Sequence, residues 1–485
     1  MESIVEIVAE FAVNNPKHLC VVDCLGENTY GQIWIVIKKI AKRMLQYQLK
    51  KGDCLMVECT QDARFLVCDL ACQLLGIIFV PIDNKASLER VKMIAEETEA
   101  KLFIYETEYE ININRIKMDL FYDIDENEIE EYTFPYKDNT AQILYTTGTT
   151  GKSKGIEITN ANNIALAENI KFGTEMKTDN VELIPLPLSH SHGLRCCYAN
   201  FFNGSTIVVT DGVTWLKNVF GMMNNYHVTA LDLSPSAAKV LIELGRKKFF
   251  AFCNQIDYIQ IGTALLPEET KELLIEKFPN SRLYNFYGST ESGRTCVLDF
   301  SKDKNKKYCI GKPTCNAKFI VTNELRKEIH SSVNNLGLLA SAGAMNMKGY
   351  WKQPKLTEQM MQDGFVFTND LAYIDEEGYV YVLGRKDDVI NYKGIKIAPE
   401  EIEESVSKHS QIIDCACVPR NDKMVGQVPK LFIVVKDINT FEKSEFVKFL
   451  EMYIDANKIP KEIELIDKIP RTANGKIQRA KLTKD

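Results

Sequence analysis

The chain has 485 residues, 45% of them hydrophobic and 26% charged. That length exceeds what one hydrophobic core usually supports, so two or more domains are expected. A net charge of −7, from 59 basic and 66 acidic residues, argues against a general nucleic-acid binder while leaving room for one local basic pocket.

The first residues, Met1-Glu2-Ser3-Ile4-Val5-Glu6, carry acid where a secretory leader carries base. The most apolar run, 65–82, is interrupted by Asp69, Gln73, Gly76 and Pro81. It predicts a buried helix over 64–75, a glycine stop and a strand over 77–82, not a membrane span. Next comes 143–155, I-L-Y-T-T-G-T-T-G-K-S-K-G, a strand-like lead-in to a loop of hydroxyls, glycines and lysines. Backbone N–H groups, small hydroxyls and cations together suit a polyphosphate. The loop is not of Walker A type, because Gly148 and Gly151 have two residues between them where that motif needs four.

Strands are then predicted over 181–188, 206–209, 230–233 and 258–261, and helices over 159–172, 214–225, 235–247 and 267–277. This alternation implies a doubly wound α/β body. Near Gly384 the pattern changes to a short strand over 379–383, a helix over 400–408, a strand over 431–435 and a helix over 443–455. That is a small α+β unit. The 14 cysteines include no CxxC pair, which argues against a zinc ribbon or a disulfide scaffold and favours reduced thiols in the cytoplasm.

The loop 146–154 closely resembles the phosphate-binding signature of the adenylate-forming superfamily, which includes acyl-CoA synthetases, aryl-CoA ligases, luciferases and stand-alone adenylation enzymes. Further motifs follow in that family's order: Tyr287-Gly288-Ser289-Thr290-Glu291, then Asp370, Gly384-Arg385-Lys386-Asp387-Asp388 and Lys393-Gly394, then Pro470-Arg471-Thr472-Ala473-Asn474-Gly475-Lys476. The resemblance spans nearly the whole chain. It implies a large multi-sheet N-terminal domain, 1–384, that binds AMP and the acyl substrate. A small mobile C-terminal domain, 385–485, would carry the catalytic lysine.

It also implies roles. Thr146, Thr147, Gly148, Thr149, Thr150, Gly151 and Lys154 would hold the β- and γ-phosphates of ATP, with Lys152 merely solvated. Glu291 would bind magnesium, since a hard cation between phosphates needs oxygen donors. Thr290 would meet the α-phosphate, within the segment Tyr287, Gly288 and Ser289. Gly262, Thr263 and Ala264 would line the adenine and acyl pocket. Asp370, assisted by Arg385, would accept the ribose hydroxyls; family members usually have glycine where this chain has Asn369. Lys476 would bridge the carboxylate and the α-phosphate during adenylation. After rotation about Asp387, Lys393 and Gly394 would close over the thiol tunnel.

His190 lies in Leu186-Pro187-Leu188-Ser189-His190-Ser191-His192-Gly193. A metal reading of the two histidines is disfavoured because this octapeptide holds neither cysteine nor carboxylate. Acyl- and aryl-activating members of the family carry histidine or an aromatic at His190; amino-acid-activating ones place an aspartate nearby. No acidic residue lies between Ile184 and Ala199, which favours an acid without an α-amine. A fatty acid and an aryl or cinnamate-like acid both remain open. Arg294 would meet a second oxygenated group on the substrate or serve as a structural partner. The sequence ends nine residues past Lys476, so no fused carrier domain is expected. The thiol acceptor would then be coenzyme A or, alternatively, a separate acyl carrier protein.

Overall fold

The computed structural model describes every residue except 125–126, 147–152, 394, 423, 457, 472–474 and 484–485. The chain divides into two compact units. The first comprises residues 1–146, 153–319 and 341–366; the second comprises 147–152, 320–340 and 367–485.

In the first unit, five successive strands form a parallel block, in the order Arg282–Ser289, Tyr258–Ile261, Ala230–Leu233, Val181–Ile184 and Thr206–Val209. Leu19–Asp23 extends it in parallel beyond Thr206–Val209, and Gly293–Asp299 borders it antiparallel beside Arg282–Ser289. The central strands are buried on both faces, which explains their unbroken apolar runs. A second, seven-stranded sheet holds Thr140–Thr146 between Ile78–Ile82 and Lys154–Thr159. The helix Ala63–Leu75 is almost entirely buried, capped at its start by the Asp62 side chain and ended by Gly76 at φ 66°, a left-handed stop suited to glycine.

Two sequence expectations are corrected by backbone chemistry. The strand expected over 181–188 ends at Ile184, because Pro185 and Pro187 have no N–H to donate to a ladder. The helix expected over 235–247 breaks after Val240 into a π-turn, Leu241–Gly245, before a short helix Arg246–Phe250. A Cβ on Gly245 would come within 2.9 Å of the Phe220 ring, so the wider turn is accommodated at a residue without one.

In the second unit, residues 370–374 pair antiparallel with Val380–Arg385. A five-stranded sheet follows, with Gly426–Val435 at its centre and Ile412–Asp422 paired to it at the edge. The helices Pro399–Ser407 and Lys443–Glu451 contribute Ile402, Val406, Phe446 and Leu450 to one apolar cluster with Ile390, Leu431 and Ile433 of the sheet.

Candidate active site

The residues of the first unit expected to meet the phosphates are joined by backbone pairing. Thr146 ends its strand opposite Lys154, which begins the next. Ser153 donates its hydroxyl to the Thr146 carbonyl at 2.7 Å. Thr147, Gly148, Thr149, Thr150, Gly151 and Lys152 lie outside the described residues. The segment around Gly349–Tyr350 pairs with Lys154–Thr159, and Met347 N–H donates to the Glu291 carbonyl at 2.7 Å. Tyr350 thereby meets both groups. Its hydroxyl donates to Glu291 Oε1 at 3.1 Å, and the Lys154 ammonium sits 5.4 Å from its ring centroid.

The turn Tyr287-Gly288-Ser289-Thr290-Glu291 joins two antiparallel strands at a register shift. A Cβ on Gly288 would lie 1.9 Å from the Gly293 carbonyl oxygen, so only glycine permits this approach. Arg195, on the helix Ser191–Asn203, fixes the turn by donating to the carbonyls of Ser289 (3.1 Å) and Thr290 (2.7 Å). Burial lowers the Arg195 guanidinium to about 10, with the Glu291 charge opposing that shift. The Ser191 and Thr290 hydroxyls are 3.2 Å apart.

His190 is the residue capping that helix. Its Nε2 lies 3.1 Å from Asp83 Oδ2, and the Ser189 hydroxyl donates to the same oxygen at 3.1 Å. The His190 ring, more than any other neighbour, holds the Asp83 carboxyl down at about 2. Although no acidic residue lies within this segment of the sequence, two carboxylates approach it in three dimensions: Asp83 reaches His190, and Asp232 Oδ1 lies 2.8 Å from His192 Nε2. Both aspartates are distant in sequence, beyond the reach of any local window.

His192, Cys196 and Asp232 bring one nitrogen, one sulfur and one oxygen within 4.8 Å of one another. The octapeptide alone offered no such set. Arg294 Nη2 donates to the same Cys196 sulfur at 3.4 Å, while burial drives that thiol far above its ordinary range. A cation already at the sulfur and a proton held on it both favour a hydrogen-bonded network over a metal site. Arg294 also donates to Gln260 Oε1 and stacks on Phe286. Structural partners thus account for much of its bonding.

Gly262 follows the strand Tyr258–Ile261 and donates its N–H to the Leu233 carbonyl at 3.2 Å. Thr263 has φ 79°, an uncommon conformation for a β-branched residue and one that often marks a functional loop. Ala264 is exposed beside it.

In the second unit, Asp370 and Arg385 are register partners, with Nη1 3.6 Å from Oδ1. Arg385 also donates to the Thr368 carbonyl at 2.5 Å, and the Asp370 N–H to the Thr368 hydroxyl at 3.2 Å. Asn369 occupies the left-handed region at φ 61°. Asparagine is among the best non-glycine residues there, so the departure from glycine keeps the geometry. Its side chain donates to Asp387 Oδ2 at 3.1 Å. Lys393, at φ 50°, is held by its N–H to the Val425 carbonyl at 2.8 Å. Gly394 lies outside the described residues, as do Thr472, Ala473 and Asn474. Lys476 follows Gly475, whose carbonyl accepts from Arg471 Nη1 at 2.6 Å, and precedes Ile477, which bridges back to Arg471. Arg471 in turn forks onto Asp414 at 2.6 and 3.0 Å. Sequence reasoning missed Arg195, Asp83 and Tyr350. Each acts by a long-range contact with no local pattern to announce it.

Comparison with known proteins agrees with this architecture. The family "AMP-binding enzyme" matches residues 8–351, and "AMP-binding enzyme C-terminal domain" matches 401–476. A probable CoA ligase of Humulus lupulus is 27% identical, over 94% of this chain and 88% of its own. The 2-succinylbenzoate–CoA ligase of Bacillus subtilis is 27% identical, over 94% and 92%. The solved O-succinylbenzoate coenzyme A synthetase of Bacillus subtilis in complex with ATP and magnesium superimposes with a TM-score of 0.89 at 25% identity, over 99% of both chains. Among the described residues, no helix is long and apolar enough to cross a membrane. The chain belongs to the AMP-binding enzyme family, as an AMP-forming ligase of the acyl-CoA synthetase type.

Proposed function

We propose that the enzyme activates a carboxylic acid lacking an α-amine with ATP, forming acyl-AMP and pyrophosphate, and then transfers the acyl group to coenzyme A. The observation that carries this reading is the assembly in which Tyr350 contacts both Glu291 and Lys154 and Arg195 fixes the Ser289 and Thr290 carbonyls. Glu291, half-buried and already oriented by the Tyr350 hydroxyl, has the hard oxygen donor that magnesium requires. When bound, that ion would neutralise charge on the phosphates. Thr290 donates toward the α-phosphate and Lys154 toward the outer phosphates. Asp370 accepts the ribose hydroxyls, kept in place by Arg385. Lys476 supplies a compact positive charge where the carboxylate attacks phosphorus, which is where transition-state charge accumulates.

That no acidic residue lies between Ile184 and Ala199 supports an acid without an α-amine; of the two aspartates that approach this segment, Asp83 lies against His190 and Asp232 against His192. Coenzyme A is favoured as acceptor by the ligase relatives. The 14 free thiols, most of them buried, support a reducing compartment such as the cytoplasm. The test is pyrophosphate exchange across fatty, aryl and amino acids, followed by thioester detection with coenzyme A. The best exchange substrate should be a simple acid that yields an acyl-CoA. An α-amino acid as best substrate, or thioester formed only on a pantetheinylated carrier, would overturn the respective half.

A further inference from the structure

We propose that Phe286 sets the size of acid the enzyme accepts, restricting it to compact acids of a short chain or a single ring, and that buried Arg294 is the positioning residue that holds the ring. This deepens the ligase reading and rests on it. Three contacts fix Phe286. A Cβ on Gly262 would lie 2.2 Å from ring atoms Cε2 and Cζ, so the ring lies directly against the backbone that closes the strand Tyr258–Ile261. The Arg294 guanidinium carbon stands over the ring, 3.5 Å from its centroid. The His192 ring meets it edge-on at 4.8 Å and 78°.

What lies behind the ring is buried: Gly262 is enclosed and Arg294 is 4% exposed. The ring itself is only half-buried, so it forms the accessible surface over this buried layer. A free phenylalanine could swing aside for a long chain. This one is pinned by a desolvated cation, and desolvation strengthens such stacking. Arg294 is itself tied to Gln260, whose amide donates to Glu182 at 2.6 Å, and to Cys196. Moving the ring would strip a buried guanidinium of a partner. Its Nε already lacks one among the described residues, so that loss is costly. The acyl tail therefore ends on the Phe286 face.

The test uses the full chain and two independent readouts. Pyrophosphate exchange is measured with butanoate, benzoate, octanoate and dodecanoate. Binding of the matching acyl-sulfamoyl adenosines is measured by calorimetry. The parent should favour butanoate or benzoate over dodecanoate by about tenfold or more in kcat/KM. Phe286→Gly should raise the dodecanoate-to-butanoate ratio by about tenfold, through the acid KM, with the ATP KM unchanged. Phe286→Leu keeps an apolar side chain in place, guards against misfolding and should shift the ratio in the same direction. Arg294→Met should broaden the profile while the ring remains. Exchange that runs normally with an unchanged profile in Phe286→Gly and Phe286→Leu overturns the size limit and leaves the ligase reading standing. Analogue binding that discriminates tails without any exchange overturns the ligase reading and supports the size limit. Equal binding of short and long analogues by the parent overturns the size limit outright.

Discussion

Asn369 shows how one side chain serves two demands. Its φ of 61° needs a residue tolerant of the left-handed region, and its amide reaches Asp387 at 3.1 Å. Glycine would meet only the first demand and alanine neither. Asn369→Ala should therefore cost about 1 kcal/mol of backbone strain and lower the thermal midpoint, whereas Asn369→Gly should leave nucleotide affinity near parental. Equal melting curves for the two variants would remove the strain argument. Asp83 gives a second test. Its folded carboxyl is held at about 2, below its ordinary 3.8, by His190. A lowered acid pKa contributes stability above pH 4 that is lost as pH falls toward 2. Asp83→Asn should melt about 2–4 °C below the parent at neutral pH, with the gap closing in acid. A gap that widens in acid would contradict the pairing.

At the scale of elements, the four-residue strands 206–209, 230–233 and 258–261 were legible because each is a short apolar run buried on both faces. The boundaries that failed did so where backbone chemistry overrode periodicity: prolines after Ile184, and the π-turn ending at Gly245. Motif residues were legible as a set, since Gly288 and Glu291 share one turn. Their supports were not, because Arg195 makes its contacts across 94 and 95 residues and Tyr350 across 59. Gly288 is the element's weakest point for substitution. A Cβ there would sit 1.9 Å from the Gly293 oxygen, so Gly288→Ala must part the strands Arg282–Ser289 and Gly293–Asp299 at their turn. Destabilisation of about 2 kcal/mol or more is expected, with pyrophosphate exchange lost before the fold is. Parental exchange in this variant would show that the turn tolerates rearrangement.

At the scale of the whole molecule, one chain must perform two reactions that need different groups. On the proposed reading, adenylation would use Lys476 and thiol transfer the Lys393 loop; both residues lie in the second unit, C-terminal to Asp387. The proposed hinge near Asp387 would let one small unit serve both in turn. The turn there is tight, with the N–H groups of Asp388 and Val389 both donating to the Arg385 carbonyl at 2.9 Å, and Lys386 N–H to the Asn369 carbonyl at 2.9 Å. Proline at 387 would fix its own φ and push Lys386 toward extended backbone, limiting the torsions a rotation would use. Lys476→Ala and Asp387→Pro should therefore fail in opposite half-reactions. Lys476→Ala should lose pyrophosphate exchange by about a hundredfold or more yet still form thioester from supplied acyl-AMP. Asp387→Pro should keep exchange and lose thioester formation from the same acyl-AMP. Rapid-quench measurement of each half-reaction decides it. Parallel losses in both variants would mean that a single arrangement of the small unit performs both steps.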